Sequence, residues 1–349
     1  MAKILAIRFS ALGDVAMTIP VIFSFARAFP QHQVVVLSRP FMKGLFKKAP
    51  VNVQFFEADT KSLYHGLKGL DRLYRKLNEE HFDAVADLHD VLRSKYLRFR
   101  FRMAGIPVAH IDKGRKEKRR LTSPNNKKLV QLPDSFQRYT EVFRKLGYAF
   151  PLNFTSVYDG KPADISELSW LTGEKKDGHW IGIAPFAAHK GKIYPIEKTE
   201  EIVKTLASHQ NIKVFLFGGG KAETDVFTAW TKKYPQIVSV AGKLKMGQEL
   251  ALMSHLDAMF TMDSGNMHLA SLVNIPVISV WGATHPYAGF RGWNQSQSNI
   301  IQADLPCRPC SVYGNKPCKR KDYACLNSIS PGQILSRIAE AADLDLLNR

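Results

Sequence analysis

The sequence predicts an α/β protein built from two Rossmann-like domains that face each other across a cleft. Short apolar segments alternate with helical patterns, and this alternation occurs twice along the chain. Alternating strands and helices are typical of parallel sheets covered by helices. The length of 349 residues also exceeds the usual size of a single hydrophobic core. We therefore expect two parallel-sheet domains joined by a linker.

The first series predicts an N-terminal domain over residues 1–160. Buried-strand patterns occur at 3–9, 33–38, 53–58 and 82–89. Helical patterns occur at 18–29 and 138–147, and Gly147 ends the second. The alternation then lapses in a segment rich in Pro, Gly and charged residues, which we interpret as a linker over 161–178.

The second series predicts a C-terminal domain over residues 179–330, followed by a C-terminal helix over 331–349. Its expected strands lie at 179–185, 212–220, 237–242, 258–263 and 276–282. Its expected helices lie at 197–208, 221–234, 246–254 and 266–273. Ligands of open parallel sheets bind beyond the carboxyl ends of the strands, so the segments that follow these strands are the candidate sites.

Composition favours a soluble protein with an anionic partner. Lys and Arg number 49 against 31 Asp and Glu, a net charge of +18. No apolar stretch approaches the roughly 18 residues of a membrane span. The N-terminal residues lack the apolar core and cleavage site of a signal peptide. We therefore expect a cytoplasmic location.

More than half of the net charge lies between Arg93 and Lys128, where thirteen basic residues accompany two acidic ones. Such a field attracts nucleic acid, an anionic membrane surface or a phosphorylated substrate. A solvated basic loop is the plain alternative. The segment 114–128 has no aromatic residue for base stacking, which disfavours RNA. It also lacks an apolar face, so we expect a loop that becomes ordered around a bound anion.

The sequence DSGNMH follows the expected strand at 258–263. Gly265 permits a tight turn into a helix, whose first amides and dipole suit a diphosphate. His268 lies near enough to donate to the same anion. Alternatively, Asp263 or Ser264 simply caps the helix, and His268 is packed or solvated.

Two further strand ends add weaker signals. The triplet Gly218-Gly219-Gly220 allows a ligand to approach the backbone closely, although an ordinary loop explains it equally well. Lys190 and Lys192 precede Tyr194-Pro195, and a lysine there is suited to neutralise a phosphate. A solvated lysine pair is the alternative. Together these segments indicate a nucleotide-linked donor in the second domain and an anionic acceptor in the first.

Three stretches, "ILAIRFSALGDVAMTIPV", "DSGNMHLASLVNIPVISVWGATHP" and "KIYP", resemble glycosyltransferase family 9, the lipopolysaccharide heptosyltransferases. The resemblance covers nearly the whole chain. It implies a GT-B fold and an inverting, metal-independent transfer of heptose from ADP-heptose to a lipopolysaccharide inner-core acceptor. No DxD motif follows a strand, and the single match, Asp343-Leu344-Asp345, lies in the expected C-terminal helix.

The resemblance also implies residue roles. Asp14 matches the proposed catalytic base, Lys192 the donor-phosphate lysine, and Asp263, Gly265 and His268 the nucleotide-sugar segment. An inverting transfer needs one base to take the proton of the acceptor hydroxyl, and a carboxylate in a tight turn suits that need. Asp14 as a helix N-cap is the alternative.

The full set of expected binding residues follows from these arguments. The donor-binding residues are Lys192, Gly218, Gly219, Asp263, Ser264, Gly265 and His268. The acceptor-binding residues are Arg93, Lys116, Lys118, Arg119 and Arg120. Because the acceptor is an anionic lipid-linked oligosaccharide, we expect peripheral contact with the inner face of the inner membrane and no nucleic-acid partner.

Four cysteines lie close together in the sequence, at Cys307, Cys310, Cys318 and Cys325. A CxxC pair followed by two further thiols resembles a zinc site, although the second pair is spaced six apart rather than two. Structural zinc, reduced thiols and disulfides all remain open, and a cytoplasmic location disfavours the last. No cofactor is expected for catalysis.

Two other functions remain open. A basic nucleic-acid-binding protein would show salt-sensitive RNA binding. A GT-B-type nucleotide-sugar epimerase would need no acceptor.

Overall fold

The computed structural model describes residues 1–176 and 178–346 of the chain. The chain divides into two compact units, of which the first comprises Met1–Gly114 and Pro133–Asp159. The second comprises Arg115–Leu132 and the chain from Gly160 onward. We predicted one uninterrupted domain over 1–160. That prediction missed the fact that residues 115–132 pack with the second unit.

The sheet of the first unit has five parallel strands in the order β3-β2-β1-β4-β5. The strands are β1 (Lys3–Ile7), β2 (Gln33–Ser38), β3 (Val53–Glu57), β4 (Ala84–Asp87) and β5 (Val108–His110). The first four match the four expected strands. β5 is only three residues long and was not predicted. Because β1 is the central strand, the segment after Ile7 leaves the middle of the sheet.

Six helices occur before residue 159. They are α1 (Leu12–Ala16), α2 (Ile19–Ala28), α3 (Gly66–Asn78), α4 (Leu92–Met103), α5 (Arg115–Leu121) and α6 (Ser135–Lys145). The helix expected over 18–29 begins at Ile19, since Pro20 fits only the first turn of a helix. A separate short helix, α1, precedes it. α5 falls in the segment that was expected to be a loop and belongs to the second unit.

The sheet of the second unit has six parallel strands in the order β11-β10-β9-β6-β7-β8. The strands are β6 (His179–Ala184), β7 (Ile212–Leu216), β8 (Ile237–Ser239), β9 (Ala258–Met262), β10 (Val277–Val280) and β11 (Ile300–Ile301). The strand expected over 212–220 ends at Leu216, before the glycine triplet. β9 lies inside the sheet, between β10 and β6.

The remaining helices surround this second sheet. They are α7 (Ser169–Thr172), α8 (Ile196–Ala207), α9 (Lys221–Lys233), α10 (Met246–Met253), α11 (Gly265–Leu272), α12 (Ala324–Asn327) and α13 (Pro331–Ala342). α7 falls within the expected linker over 161–178, whose residue 177 lies outside the described residues. The expected helix over 331–349 ends at Ala342, before the left-handed Asp343, so the Asp343-Leu344-Asp345 match follows the helix. Residues 347–349 also lie outside the described part.

Each unit has its own apolar core between sheet and helices. In the first unit Leu5, Val35 and Phe101 are almost fully buried, and in the second Ile181 and Phe260 are. Burial of continuous apolar strands fixes the sheets, so the polar segments that follow β1 and β9 have defined positions. Among the described residues, no helix has the length and apolarity that a membrane crossing requires.

Candidate functional site

Asp14 lies in α1, directly after the central strand of the first sheet. The N-cap of α1 is Ala11, and the Asp14 carboxylate at the third helical position accepts a hydrogen bond from the Ala11 amide at 3.2 Å. The alternative, in which Asp14 is the N-cap of the helix, is therefore wrong. The Asp14 carboxylate nevertheless helps to close the turn. Its side chain is 33% exposed, so the carboxylate remains accessible to a substrate.

The Asp14 carboxylate pairs with Arg8, whose Nη2 atom lies 2.7 Å from Oδ2. Arg8 is buried and also donates to the backbone oxygen of Leu88 at 2.7 Å. Burial by itself lowers the pKa of Arg8, but Tyr139 and the Asp14 carboxylate outweigh it and raise that pKa above its ordinary value. Arg8 therefore stays charged and holds Asp14 in place. The sequence argument did not identify Arg8.

His89 and Asp87 lie beside this pair at the end of β4. The His89 ring nitrogen Nδ1 accepts a hydrogen bond from the Phe9 amide at 3.3 Å. Burial, together with the positive charges of Arg8 and Lys113, lowers the pKa of His89 to about 3. His89 is thus neutral at physiological pH. Asp87 is fully buried and accepts from the amides of His89 and Asp90, which fixes the turn after β4.

In the second unit, Lys192 and Asp263 form an ion pair, with 3.1 Å between Nζ and Oδ2. Both side chains are largely buried, at 15% and 6% exposure. Asp263 directly follows β9, and Lys192 ends a short 3-10 turn at 190–192. The structure thus brings together two residues that the sequence argument placed in separate segments. A partly buried ammonium of this kind can bind an anion strongly because little water screens it.

The N-terminus of α11 has no side-chain cap among the described residues. Ser264 occupies the N-cap position, but its hydroxyl lies 3.1 Å from the Thr261 hydroxyl instead. Asp263 engages Lys192 and does not cap the helix either. Side-chain capping by Asp263 or Ser264 is therefore not seen, although Ser264 does occupy the N-cap position and His268 is packed, as the alternative expected. First-turn amides and the positive end of the helix dipole are available to an anion here.

The other expected donor residues have clear positions. Gly265 is the first residue of α11, and His268 is its fourth and is 6% exposed, so it is not solvated. The Gly219 amide donates to the Glu223 carboxylate at 2.7 Å. A side chain at Gly218 would overlap that carboxylate, since its Cβ would lie 2.5 Å from Oε2. Local packing therefore requires glycine at 218, whereas a Cβ at Gly219 would meet nothing within 4 Å.

The backbone around Lys192 is held by two segments that sequence reasoning missed. Gly191 accepts a hydrogen bond from the Ala283 amide at 2.8 Å, which ties the lysine turn to the loop after β10. Gly314 packs on the Lys192 side chain, and a Cβ there would overlap Lys192 Cγ. Gly314 also has a left-handed φ of +76°. Both the contact with Lys192 and this backbone conformation therefore require glycine at position 314. Close approach of Gly314 orients the lysine stem.

Arg308 fixes the loop that follows β10. Its guanidinium is 5% exposed and donates to the carbonyl oxygens of Gly282, Trp281 and Thr284 at 2.6, 2.9 and 3.0 Å. A buried guanidinium with several carbonyl acceptors is well satisfied and rigid. The sequence signal was slight, namely an arginine inside the Cys-Arg-Pro-Cys stretch.

The basic cluster between Arg93 and Lys128 is divided between the two units. Arg93 lies exposed on α4 of the first unit, whereas α5 carries Lys116, Arg119 and Arg120, all exposed, in the second. Lys118 is 7% exposed, and its ammonium lies 4.0 Å from the centre of the Phe290 ring. The expectation of a ligand-ordered loop is wrong for residues 115–121, because α5 packs there through Lys118 and the fully buried Leu121.

The four cysteines all line one cavity of ≈ 20 Å³, and all four are free thiols. Burial raises the pKa of Cys310 and raises that of Cys325 to about 11, so both are protonated at neutral pH. No group of three or more His, Cys, Asp or Glu side chains within the described ranges is arranged to hold a metal ion. Reduced thiols fit this geometry, and zinc binding stays a prediction that metal analysis would test.

Solved structures with the same architecture define the class of protein. A glycosyl transferase family 9 structure from Veillonella parvula aligns with a TM-score of 0.74 at 18% identity, covering 98% of this chain and 97% of that one. The E. coli heptosyltransferase WaaC with ADP aligns with a TM-score of 0.69 at 17% identity, covering 97% and 100%. The chain thus has the GT-B fold.

Sequence comparison identifies the family. Residues 70–321 match the model of glycosyltransferase family 9 (heptosyltransferase). The chain therefore belongs to glycosyltransferase family 9, as its three motifs predicted. It is 23% identical over 301 residues to the lipopolysaccharide core heptosyltransferase OpsX of Haemophilus influenzae, covering 80% of this chain and 79% of that protein.

Proposed function

We propose that this glycosyltransferase moves a heptose, or a related sugar, from an ADP-sugar to an inner-core acceptor of lipopolysaccharide, with inversion and without a catalytic metal. The observation that carries the proposal is the uncapped N-terminus of α11 beside the Lys192–Asp263 pair. Helix amides and a poorly screened ammonium together suit a diphosphate. The similarity to OpsX and to WaaC with ADP supports a heptose donor carried by ADP.

The proposed donor site lies in the second unit. Lys192 and the first amides of α11 bind the diphosphate, and Gly265 leaves the backbone open to it. As the bond between C1 and the phosphate oxygen breaks, the leaving ADP gains negative charge. Lys192 and the helix N-terminus stabilise that charge, so transfer needs no cation from solution. Asp263 acts as a positioning residue, since it holds the ammonium of Lys192.

The proposed base lies in the first unit. Asp14 accepts the proton of the acceptor hydroxyl while the hydroxyl oxygen bonds to C1 of the sugar from the face opposite the leaving ADP. Its 33% exposure and its fixed position beside Arg8 suit this role. His89 is an unsuitable second base, because its pKa of about 3 makes it a weak base and its acceptor nitrogen Nδ1 is occupied by the Phe9 amide.

The proposed acceptor contacts come from exposed cations of both units. Arg93 on α4 and Lys116, Arg119 and Arg120 on α5 bind the phosphorylated part of the acceptor. Lys118 is removed from this set because it is buried over Phe290. Since such an acceptor is lipid-linked, we place the enzyme in the cytoplasm, in peripheral contact with the inner face of the inner membrane.

An acceptor-dependence assay tests the proposal. ADP release is measured with ADP-heptose, ADP-glucose and UDP-glucose, with and without a purified inner-core acceptor, and in excess EDTA. We expect ADP release only with ADP-heptose plus acceptor, unchanged by EDTA. Turnover of the donor without acceptor would support an epimerase, and loss of activity in EDTA would refute the metal-independent mechanism.

The nucleic-acid alternative rests on the basic cluster between Arg93 and Lys128. Its exposed lysine and arginine side chains would bind RNA with strong salt dependence. A mobility shift of RNA at sub-micromolar protein, together with no ADP binding, would favour it over the transferase.

A further inference from the structure

Helix α4 has an apolar stripe on the side opposite its buried face. Ser94, Leu97 and Phe101 point into the first unit and are at most 1% exposed. Leu92, Phe99 and Met103 are 86%, 60% and 72% exposed, with the partly exposed Tyr96 between them. The exposed set is spaced by four, three and four residues. That spacing aligns side chains along one face of a helix, so they form a continuous outward stripe.

Basic side chains flank this stripe on both sides. Helical geometry places Arg93 and Arg100 along one edge and Lys95 and Arg102 along the other, at about 100° per residue. α4 contains no acidic residue. Arg98 points away from the stripe and pairs with Asp87 at 3.1 Å. The outward face of α4 is thus apolar along its centre and basic along its edges, where Arg100 pairs with Asp71 and Lys95 lies 3.7 Å from Asp90, while Arg93 and Arg102 extend the basic edges.

The neighbouring helix α3 extends this face. α3 and α4 are joined by Tyr96 and Arg100, which both donate to Asp71 of α3. Beside this junction Leu67 is 73% exposed, and Lys68 and Arg72 are exposed as well. Single exposed apolar residues are ordinary, but a contiguous group bordered by cations marks an interaction surface.

We infer that the outward face of α4 binds an anionic lipid bilayer, its stripe entering the interface and its flanking cations meeting lipid phosphates. Apolar side chains with Lys and Arg beside them are what interfacial helices use to bind membranes. Of the four stripe residues only Tyr96 and Phe99 offer a stacking surface, and the Tyr96 hydroxyl is bound to Asp71, so the stripe suits lipid better than RNA. Two copies of this face would repel each other through like charge, which disfavours a dimer. The inference extends the membrane contact of the proposed function and locates it.

Vesicle sedimentation of the full chain tests this. Vesicles of phosphatidylcholine with one quarter phosphatidylglycerol are compared with phosphatidylcholine alone. The test variant carries Leu92→Ser, Phe99→Ser and Met103→Ser, all at exposed positions. The matched control carries Phe41→Ser and Val51→Ser, two apolar residues of the same unit that are 64% and 103% exposed. Near-ultraviolet circular dichroism confirms that both variants are folded.

We expect the wild type to bind the anionic vesicles in a salt-sensitive way and to bind neutral vesicles weakly. The test variant should lose about tenfold or more in partition coefficient, given what burying three apolar side chains contributes. The control variant should bind like the wild type. Binding by the test variant equal to the wild type, or an equal loss in the control, would overturn the inference. RNA binding or dimerisation that depends on the stripe, without vesicle binding, would overturn it in favour of that partner.

Activity separates this inference from the proposed function. With a delipidated, soluble inner-core acceptor, the test variant should keep the wild-type kcat, because none of the three substituted residues is among the proposed donor, acceptor or catalytic residues. If the wild type binds vesicles but transfers no sugar to any acceptor, the proposed function is wrong, and the inference that α4 binds membranes is retained. If transfer proceeds and vesicle binding is absent, the membrane surface fails alone.

Discussion

Two carboxylates, one in each unit, follow interior strands of their sheets and pair with a cation, yet their surroundings differ. Asp14 follows β1 and lies 2.7 Å from Arg8, and Asp263 follows β9 and lies 3.1 Å from Lys192. Asp14 is 33% exposed and Asp263 is 6% exposed. In the first unit the cation is the more buried partner and the carboxylate faces outward. In the second unit the carboxylate is the more buried partner, and the cation is the more exposed one.

We propose that this reversal gives the two similar pairs different roles in the reaction. A buried arginine that holds an exposed carboxylate prepares a proton acceptor. A buried carboxylate that holds a lysine beside an uncapped helix N-terminus prepares an anion site. The comparison is open to test because each pair can be altered without touching the other.

The largest effect is expected from Asp14→Asn. The amide keeps the size of the side chain but cannot take a proton, so kcat should fall by about 100-fold or more. Steady-state ADP release with saturating donor and acceptor measures it. A kcat within threefold of the wild type would remove Asp14 from the proton transfer.

Lys192→Ala should act on donor affinity instead. Loss of a charge-assisted contact to the diphosphate should weaken ADP binding by about 10- to 100-fold. Lys190→Ala is the matched control, since Lys190 lies in the same turn, 5.2 Å from the centre of the Tyr323 ring. Calorimetric titration of ADP measures both variants. Equal ADP affinity in the two would separate Lys192 from the donor site.

Neutral His89 makes the stability of the first unit depend on pH. Its pKa is about 3 in the folded protein against 6.5 for an ordinary histidine, so the unfolded chain binds more protons between these values. Stability is therefore complete above pH 6.5 and falls as the pH decreases towards 3. Between pH 7 and pH 5 this one group should lower the free energy of unfolding by about 2 kcal/mol.

Urea unfolding of the wild type and of His89→Gln at the two pH values measures that contribution. The variant should lose less stability than the wild type on going from pH 7 to pH 5. His65→Gln, at an exposed histidine, serves as the control and should behave like the wild type. An identical pH dependence of the unfolding free energy in all three proteins would show that protonation of His89 does not cause the loss of stability.

Lys118→Ala should produce the smallest effect, and that effect is on stability. The substitution removes a buried ammonium from the Phe290 ring and part of the packing of α5, worth about 1–2 kcal/mol. The Tm should fall by about 2–8 °C for a unit of this size. Lys116→Ala, at an exposed position of the same helix, should leave the Tm unchanged. A larger fall in Lys116→Ala would contradict the assignment of Lys118 to the packed side.

Local pattern was enough to predict most of the strands and helices. The strand over 33–38 was predicted to the residue, and the expected helix at 197–208 differs from α8 by one residue at each end. β5 and β11 have three and two residues, too few to show a pattern. α3 was missed because glycines at 66 and 69 interrupt its helical signal.

Long-range packing explains what the sequence did not reveal. The motif residues Asp14, Lys192 and Asp263 were identified, but the partner Arg8 and the support from Gly314 depend on the fold. The transfer of α5 to the second unit depends on Leu121 packing with Leu132 and Ala288, a contact that no local pattern indicates. Charge alone suggested that Lys118 was exposed, and its aromatic partner lies far away in the sequence.

Titration of ADP into Asp14→Asn tests the division of work between the two units most directly. The account predicts the wild-type Kd for ADP in a protein whose turnover is lost, because the donor site lies wholly in the second unit. A Kd weakened as much as in Lys192→Ala would contradict the account, since Asp14 would then belong to the donor site.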